Sequence, residues 1–343
     1  MIFTSDNAYG AAPEILESLV RANAGALPSY GGDEITARLG RRMNEVFERD
    51  VAVFPVVSGT AANALALATL VPPHGAVLCH ADAHIAADEC GAVEFFSHGA
   101  RLVTIEGADG KLTAEAIAHA LGRFRAGFVH HSQPTAISLT QASECGTCYR
   151  LDEIAAIAAI ARAHGLKLHM DGARFANAIA HLGCSPAEAT WRIGIDALSF
   201  GATKNGALCA EAVVFFDSEI VRDFEYRRKK SGHLVSKMRF LSSQLLSYLE
   251  EDRWLGSARR ANAVAAQLGR ALESIPGVAL AHPVEANAVF ACVPDELAAR
   301  WRAAGAHFYD WAPPAGGRTL VRLVCGFATP DADIARFIDI ARG

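Results

Sequence analysis

Lys167-Leu168-His169-Met170-Asp171-Gly172-Ala173-Arg174-Phe175-Ala176-Asn177-Ala178-Ile179-Ala180-His181 runs from a short apolar segment through a small polar turn into a helical pattern. Lys167–Met170 has strand length, and Arg174–His181 carries its apolar residues at helical spacing. A strand, a turn and a helix in that order are the first half of a βαβ crossover. Working outward, strand candidates recur at Val51–Val57, Ala76–Cys79, Arg101–Ile105, Gly127–His131, Ala197–Phe200 and Glu211–Phe216. Helical patterns at Ala61–Leu70, Thr113–Leu121 and Asp152–His164 stand between them. This alternation predicts an α/β fold whose mostly parallel seven-stranded sheet is covered on both faces.

Beyond Phe216 the pattern changes. Leu234–Glu250 and Ser257–Glu273 read as longer helices, and Pro276-Gly277 marks a turn. Shorter strands follow at Val278–Leu280, Ala288–Val293, His307–Trp311 and Thr319–Val324, before a last helix at Asp331–Ala341. We therefore expect a large domain over residues 1–245, N-terminal segment included, and a smaller C-terminal α/β domain over residues 246–343.

Composition narrows the function. A hydrophobic fraction of 51% with 20% charged residues suits a chain that buries a substantial core. The net charge of −5 gives no reason to expect nucleic acid or an anionic membrane as a partner. No apolar run approaches the roughly 18 residues of a membrane span. Met1-Ile2-Phe3-Thr4-Ser5-Asp6 lacks the basic and apolar regions of a signal peptide. The eight cysteines are scattered, which suits reduced thiols in a cytoplasmic enzyme. Cys145-Gly146-Thr147-Cys148 has redox spacing, but it follows no thioredoxin-like strand and reads as two buried thiols.

In open parallel sheets, sites gather beyond the C-terminal ends of the strands. Five polar clusters occupy such positions: Ser58-Gly59-Thr60, His80-Ala81-Asp82-Ala83-His84, His130-His131-Ser132-Gln133, Asp171-Gly172-Ala173-Arg174 and Gly201-Ala202-Thr203-Lys204. A lysine just past a buried strand is costly unless it is paired or used covalently. Desolvation would free its amine to form a Schiff base, although an isolated Lys204 reads equally as an exposed loop residue. Asp171 shifts that balance. A carboxylate ending the neighbouring strand can hold the pyridine nitrogen of pyridoxal 5′-phosphate protonated, besides serving as a helix cap. Ser58-Gly59-Thr60 is a strand-to-helix turn whose free N–H groups would suit a phosphate, and would equally suit an ordinary capped helix.

Together, Ser58-Gly59-Thr60, His84, Asp171-Gly172-Ala173-Arg174 and Lys204 resemble the L-threonine aldolase family of fold-type I (aspartate-aminotransferase-like) pyridoxal phosphate enzymes. The resemblance runs from Ser5-Asp6 and Ser29-Tyr30-Gly31-Gly32-Asp33 to Val321-Arg322-Leu323. Gly31-Gly32-Asp33 and Ser231-Gly232-His233-Leu234 are most similar to the bacterial low-specificity branch, which includes phenylserine-cleaving members.

The resemblance implies roles by position. Lys204 would be the Schiff-base lysine, Asp171 the pyridinium partner and His84 the imidazole against the ring. Ser58, Gly59, Thr60 and Thr203 would serve the cofactor, and Arg174, Arg322 and Ser5 the substrate carboxylate, with Arg174 near the cofactor as well. Tyr30, Lys230 and Arg239 would reach a neighbouring subunit's site, which implies a homotetramer with shared sites. Alone, Arg227-Arg228-Lys229-Lys230 would read as a solvated helix face.

One departure stands out: the family's Asn-Thr-His stretch is replaced by Gln141-Ala142-Ser143, leaving His84, or else His130 or His131, to act as base. The expected reaction is cleavage of L-threonine, L-allo-threonine and related β-hydroxy-α-amino acids to glycine and an aldehyde. The alternatives are a phenylserine-preferring aldolase, or another pyridoxal phosphate lyase or aminotransferase. From a different class comes a metal-dependent hydrolase using His80, Asp82, His84, His169 and Asp171, a reading that leaves Lys204 and Arg174 without a task.

Overall fold

In the computed structural model, which describes residues 1–342, two sheets organise the chain. The larger has seven strands: β1 (Ala52–Val56), β2 (Gly75–His80), β3 (Arg101–Ile105), β4 (Gln133–Thr140), β5 (Lys167–Gly172), β6 (Ala197–Gly201) and β7 (Glu211–Phe215). Their spatial order is β1-β7-β6-β5-β4-β2-β3. Only β7 runs against the rest, pairing antiparallel with both β1 and β6. β2, β6 and β7 are buried along their whole length, which is why they read as unbroken apolar runs rather than alternating ones. Apolar clusters cover both faces, one built around Phe47, Phe175, Phe200 and Trp254, the other around Leu65, Leu67, Phe215 and Phe224.

The smaller sheet is antiparallel in the order β10-β11-β9-β8, from β8 (Ala279–Leu280), β9 (Ala288–Pro294), β10 (Tyr309–Ala315) and β11 (Arg318–Val324). Its core collects Trp301, Phe337 and Leu268 from three helices and, across the length of the chain, Phe3. Ile2 bridges to His307 and Phe3 hydrogen-bonds with the backbone of His307 and Val324, so the N-terminal segment, expected within the large domain, also packs beside this sheet. The division expected at 245/246 falls inside the helix Arg239–Leu249, whose Leu245, Leu246 and Leu249 pack in the large-sheet core.

The fourth strand also differs from expectation. Gly127–His131 forms no strand: Gly127 has φ +68° and Val129 is 91% exposed. The side chain of Gln133 closes this segment into a loop, accepting from the Gly127 N–H and donating to the carbonyls of Arg125 and His131. The strand itself is Gln133–Thr140. His130 and His131 therefore precede it, beside Arg101 at the start of β3, at the edge opposite the site.

Candidate active site

The site forms where β1, β5 and β6 end. Two glycines let the last two strand ends press together. A Cβ on Gly201 would stand 2.5 Å from the Ala173 carbonyl oxygen, and one on Gly172 would stand 2.7 Å from that of Ser199. This close approach brings the turns after Asp171 and before Lys204 into one cavity. Gly59, Thr60, His84, Asp171, Arg174 and Lys204 all line it.

Lys204 is partly buried in the short turn Thr203–Asn205. Burial, and then the nearby charge of Arg174, lowers its pKa from the ordinary lysine value. No acceptor within the described residues takes a hydrogen bond from its amine. The turn is held from both sides. The Glu211 carboxylate accepts from the Ala202 N–H at 3.0 Å, and Asn205 donates to the Tyr248 hydroxyl and the Trp254 carbonyl at 2.8 Å each. Burial pushes Glu211 up to about 7. The Thr203 hydroxyl is engaged with the backbone of Ala210 and does not line the cavity.

Asp171 accepts from Asn63 Nδ2 at 2.8 Å through one oxygen and from the Ala173 N–H at 2.9 Å through the other. Asn63 also donates to Glu89 Oε1, which in turn lies 2.9 Å from His84 Nδ1. A continuous chain of contacts thus links Asp171 to the imidazole. The Glu89 contact raises the pKa of His84 above its ordinary 6.5 against the opposing effect of burial. It also settles which nitrogen is available: with Nδ1 turned to a carboxylate, Nε2 is the free one. A further carboxyl, Glu144, accepts from the His84 backbone N–H at 2.8 Å and lines the same cavity.

Ser58 caps the helix Gly59–Leu70, its Oγ accepting from the Ala61 N–H. The N–H groups of Gly59 and Thr60, at the positive end of the helix, are left without an intrahelical acceptor. A Cβ built on Gly59 meets no atom within 4 Å, so this turn faces open space.

The two arginines part company. Arg174 is buried and forms a two-pronged pair with Asp6, at 2.8 and 2.9 Å, while Asn287 adds a third contact to the same carboxylate. The Nε–Nη2 face of its guanidinium is thus engaged by Asp6. Arg322 lies on β11 with its guanidinium 5.1 Å from the Trp311 ring centroid. Its Nε is buried without a partner, and burial, then the charge of Arg174, lowers its pKa to about 10.

Among the remaining expected residues, Ser5 caps the Asp6–Ala8 turn. Tyr30 is half exposed with the Lys229 ammonium 4.7 Å from its ring centroid, and Arg239 donates to the Gly25 carbonyl. None of these, nor Lys230, lines the cavity. The segment that carries Lys230 is tied to the residues just before Ser58, because His233 Nδ1 accepts from the Val57 N–H at 3.4 Å and Arg228 reaches the Pro55 carbonyl.

The residues of the metal reading do not assemble. His169 lies between Ser138 and Ser199, His80 turns to the Gly107 carbonyl, and no three His, Cys, Asp or Glu side chains cluster as ligands among the described residues. Cys145 and Cys148 are buried free thiols, and burial pushes Cys145 up to about 12.

Sequence reasoning missed Asp6, Asn63, Glu89, Glu144 and Glu211. Asn63 had a signal, as a lone amide in the first turn of an otherwise apolar helix. Glu144 was hidden by the misplaced fourth strand.

The cavity suits pyridoxal phosphate on the observations above: a partly buried amine without an acceptor, an amide-held carboxylate sharing its cavity, and a helix N-terminus facing open space.

Comparison with known proteins agrees. The Beta-eliminating lyase family model matches residues 3–296. A low specificity L-threonine aldolase of Pseudomonas aeruginosa is 44% identical over 99% of this chain and 96% of its own length. One from a Pseudomonas species is 44% identical over 97% and 94%. Among solved structures, a threonine aldolase of Leishmania major superposes with a TM-score of 0.94 at 29% identity, covering 99% of this chain and 98% of its own.

Proposed function

The chain belongs to the beta-eliminating lyase family, and from that premise we propose that it is a pyridoxal phosphate-dependent carbon–carbon lyase cleaving L-threonine to glycine and an aldehyde. The observation that carries the reading is a partly buried Lys204 amine, its pKa lowered, in the cavity that also holds Asp171 and His84. Bound there, pyridoxal phosphate supplies an electron sink for the pair released at Cα when the Cα–Cβ bond breaks.

Lys204 would hold the cofactor's aldehyde carbon, Asp171 its ring nitrogen, and the Gly59 and Thr60 N–H groups its phosphate. Arg322 would grip the substrate carboxylate with two parallel hydrogen bonds. Arg174, tied to Asp6, fixes the N-terminal segment against this wall. His84 covers the open side and presents Nε2 as the base for the β-hydroxyl proton, with Glu89 in the orienting role that a carboxylate plays behind a catalytic histidine. Broad acceptance of β-substituents, L-allo-threonine and phenylserine included, belongs to the same reading.

We further propose a homotetramer with shared sites. Tyr30, Val57, Leu208 and Tyr226 leave large apolar side chains exposed, and Lys230 lies outside its own chain's cavity. Eight free thiols fit a reducing, cytoplasmic setting. No helix among the described residues is long and apolar enough to cross a membrane.

The test is direct. Purified protein incubated with L-threonine should release glycine and acetaldehyde in equal amounts, and borohydride should attach the cofactor irreversibly to Lys204. Label found on Lys230 or Lys237 instead, or no aldehyde from L-threonine, L-allo-threonine or phenylserine, refutes the assignment.

A further inference from the structure

Cleavage moves a proton twice. One leaves the β-hydroxyl, for which His84 is placed, and one must reach Cα to complete glycine. Nothing above supplies the second.

Glu144 lies beyond the end of β4 with its side chain in the wall of the cavity that holds Lys204 and Asp171. Oε1 accepts from the His84 backbone N–H at 2.8 Å. Oε2 is buried and makes no hydrogen bond of good geometry, although the Thr140 hydroxyl lies near enough to lower the carboxyl's pKa. A buried, unpaired carboxylate charge costs more than a neutral carboxyl in the same place. The hydrogen-bond pattern therefore favours the protonated carboxyl.

The surroundings agree. Asp171 faces Glu144 from β5, Cys79 from β2, and Cys145 and Tyr149 from its own loop, all acidic or neutral groups, while Arg174 is held by Asp6. Burial, and then the charge of Asp171, pushes the Glu144 carboxyl up to about 7. Asp171 takes two N–H donors and Glu144 mainly the one from His84. Two carboxyls whose settings divide them in this way mark one as a fixed charge and the other as an acid.

We infer that Glu144 is the acid that delivers the proton to Cα. In that step the carboxyl O–H bond breaks and leaves its electrons on the carboxylate. A C–H bond forms on the pair that Cα kept from the broken Cα–Cβ bond. Glu144 regains a proton from solvent through the open side of the cavity once glycine leaves.

This inference rests on the aldolase reading, and the two fail differently. If that reading fails, the native protein yields no aldehyde from L-threonine; if this one fails, only Glu144 variants show it. The first readout needs no turnover. Infrared titration of the substrate-free holoenzyme should show protonated-carboxyl absorption that disappears around neutral pH, part of it lost in Glu144→Gln and a separate part in Glu211→Gln. The second is exchange of the glycine α-proton in D2O, followed by NMR. Glu144→Gln keeps an oxygen to accept from His84 but cannot carry the proton, so exchange should fall about 10²–10⁴-fold at equal cofactor occupancy. Glu144→Asp, which keeps a proton carrier, should exchange at least about tenfold faster than the Gln variant. Native exchange in Glu144→Gln, unchanged carboxyl absorption, or equal losses in both variants would overturn the inference. The last outcome would leave Glu144 only as a support for His84, and Lys204 as the donor.

Discussion

Replacing His84 with phenylalanine separates the two tasks that one imidazole performs. Phenylalanine keeps an aromatic face of similar size, so the cofactor should stay bound and the protein should stay yellow. It removes Nε2, the nitrogen left free when Nδ1 meets Glu89 at 2.9 Å. Loss of a positioned general base costs about 10²–10⁴ in rate, or about 2.7–5.5 kcal/mol in the barrier. We therefore expect kcat for L-threonine to fall at least about a hundredfold, with KM little changed. There is a smaller structural cost, because the buried Glu89 loses one of its two donors at Oε1 and its Oε2 already has none. With the imidazole 40% exposed, solvent screening holds that cost to about 1 kcal/mol. This stability cost has a definite pH signature. A histidine whose folded pKa is raised stabilises fully below its unfolded value and loses that contribution as pH rises through the folded one. The stability gap between native protein and variant should thus be widest below about pH 6.5 and should narrow in alkali. Aldehyde release across pH, paired with thermal melts, reads both effects. If His84→Phe turns over at close to the native rate with its acid limb intact, the imidazole merely stacks and the base lies elsewhere.

Other perturbations address the remaining walls of the cavity. Asp171→Asn should fold and retain colour but lose most of its turnover, since an amide cannot hold the ring nitrogen protonated; near-native kcat would remove Asp171 from that role. Arg322→Lys replaces a fork with a point charge, and loss of a charged hydrogen bond should raise KM for L-threonine by an amount equivalent to about 1.5–3 kcal/mol. Unchanged kinetics would mean that the carboxylate is held elsewhere. Dilution to monomers should release the cofactor if Lys230 or Arg239 completes the phosphate site across an interface, and a sedimenting monomer with full colour would refute shared sites.

The large sheet was legible because its strands are buried on both faces and its polar residues gather at their ends. β5 and β6 show this best: each is a short buried strand, the first closing on Asp171-Gly172 and the second followed three residues later by Lys204. β4 was not legible, for a physical reason. It opens with Gln133-Pro134-Thr135, and a proline near a strand start disguises it; the ladder to β2 indeed shifts register beside Pro134, between Ala76 and Val77. The aromatic and β-branched pair Phe128-Val129 offered a more strand-like run close by, yet it lies in a loop closed by Gln133. That slip moved the apparent strand end from Thr140 to His131 and hid Glu144. Phe3 was illegible for another reason: its partners in the small core lie far along the chain, and no local pattern can announce them.

Arg174 and Arg322 show how tertiary context divides residues that sequence treats alike. Each belongs to a short motif at a strand, and each is a planar cation suited to a carboxylate. Asp6 makes the difference. It arrives from the N-terminal segment, which Phe3 anchors in the small core, and fills the Arg174 fork with both oxygens while Asn287 secures one of them. The pair cancels its own charge, and the Arg174 pKa stays above its ordinary value despite burial because Asp6 offsets the desolvation. Arg322 receives no such partner. It is buried against Trp311 with an unpaired Nε, and its pKa drops to about 10. An incoming carboxylate therefore relieves a desolvated cation at Arg322, whereas at Arg174 it would have to compete with a pair already made. Arg174 thereby ties the N-terminal segment to the turn that carries Asp171. We therefore expect Arg322, the arginine left without a carboxylate, to contribute more to binding the substrate carboxylate than Arg174, so that KM rises further in Arg322→Lys than in Arg174→Lys.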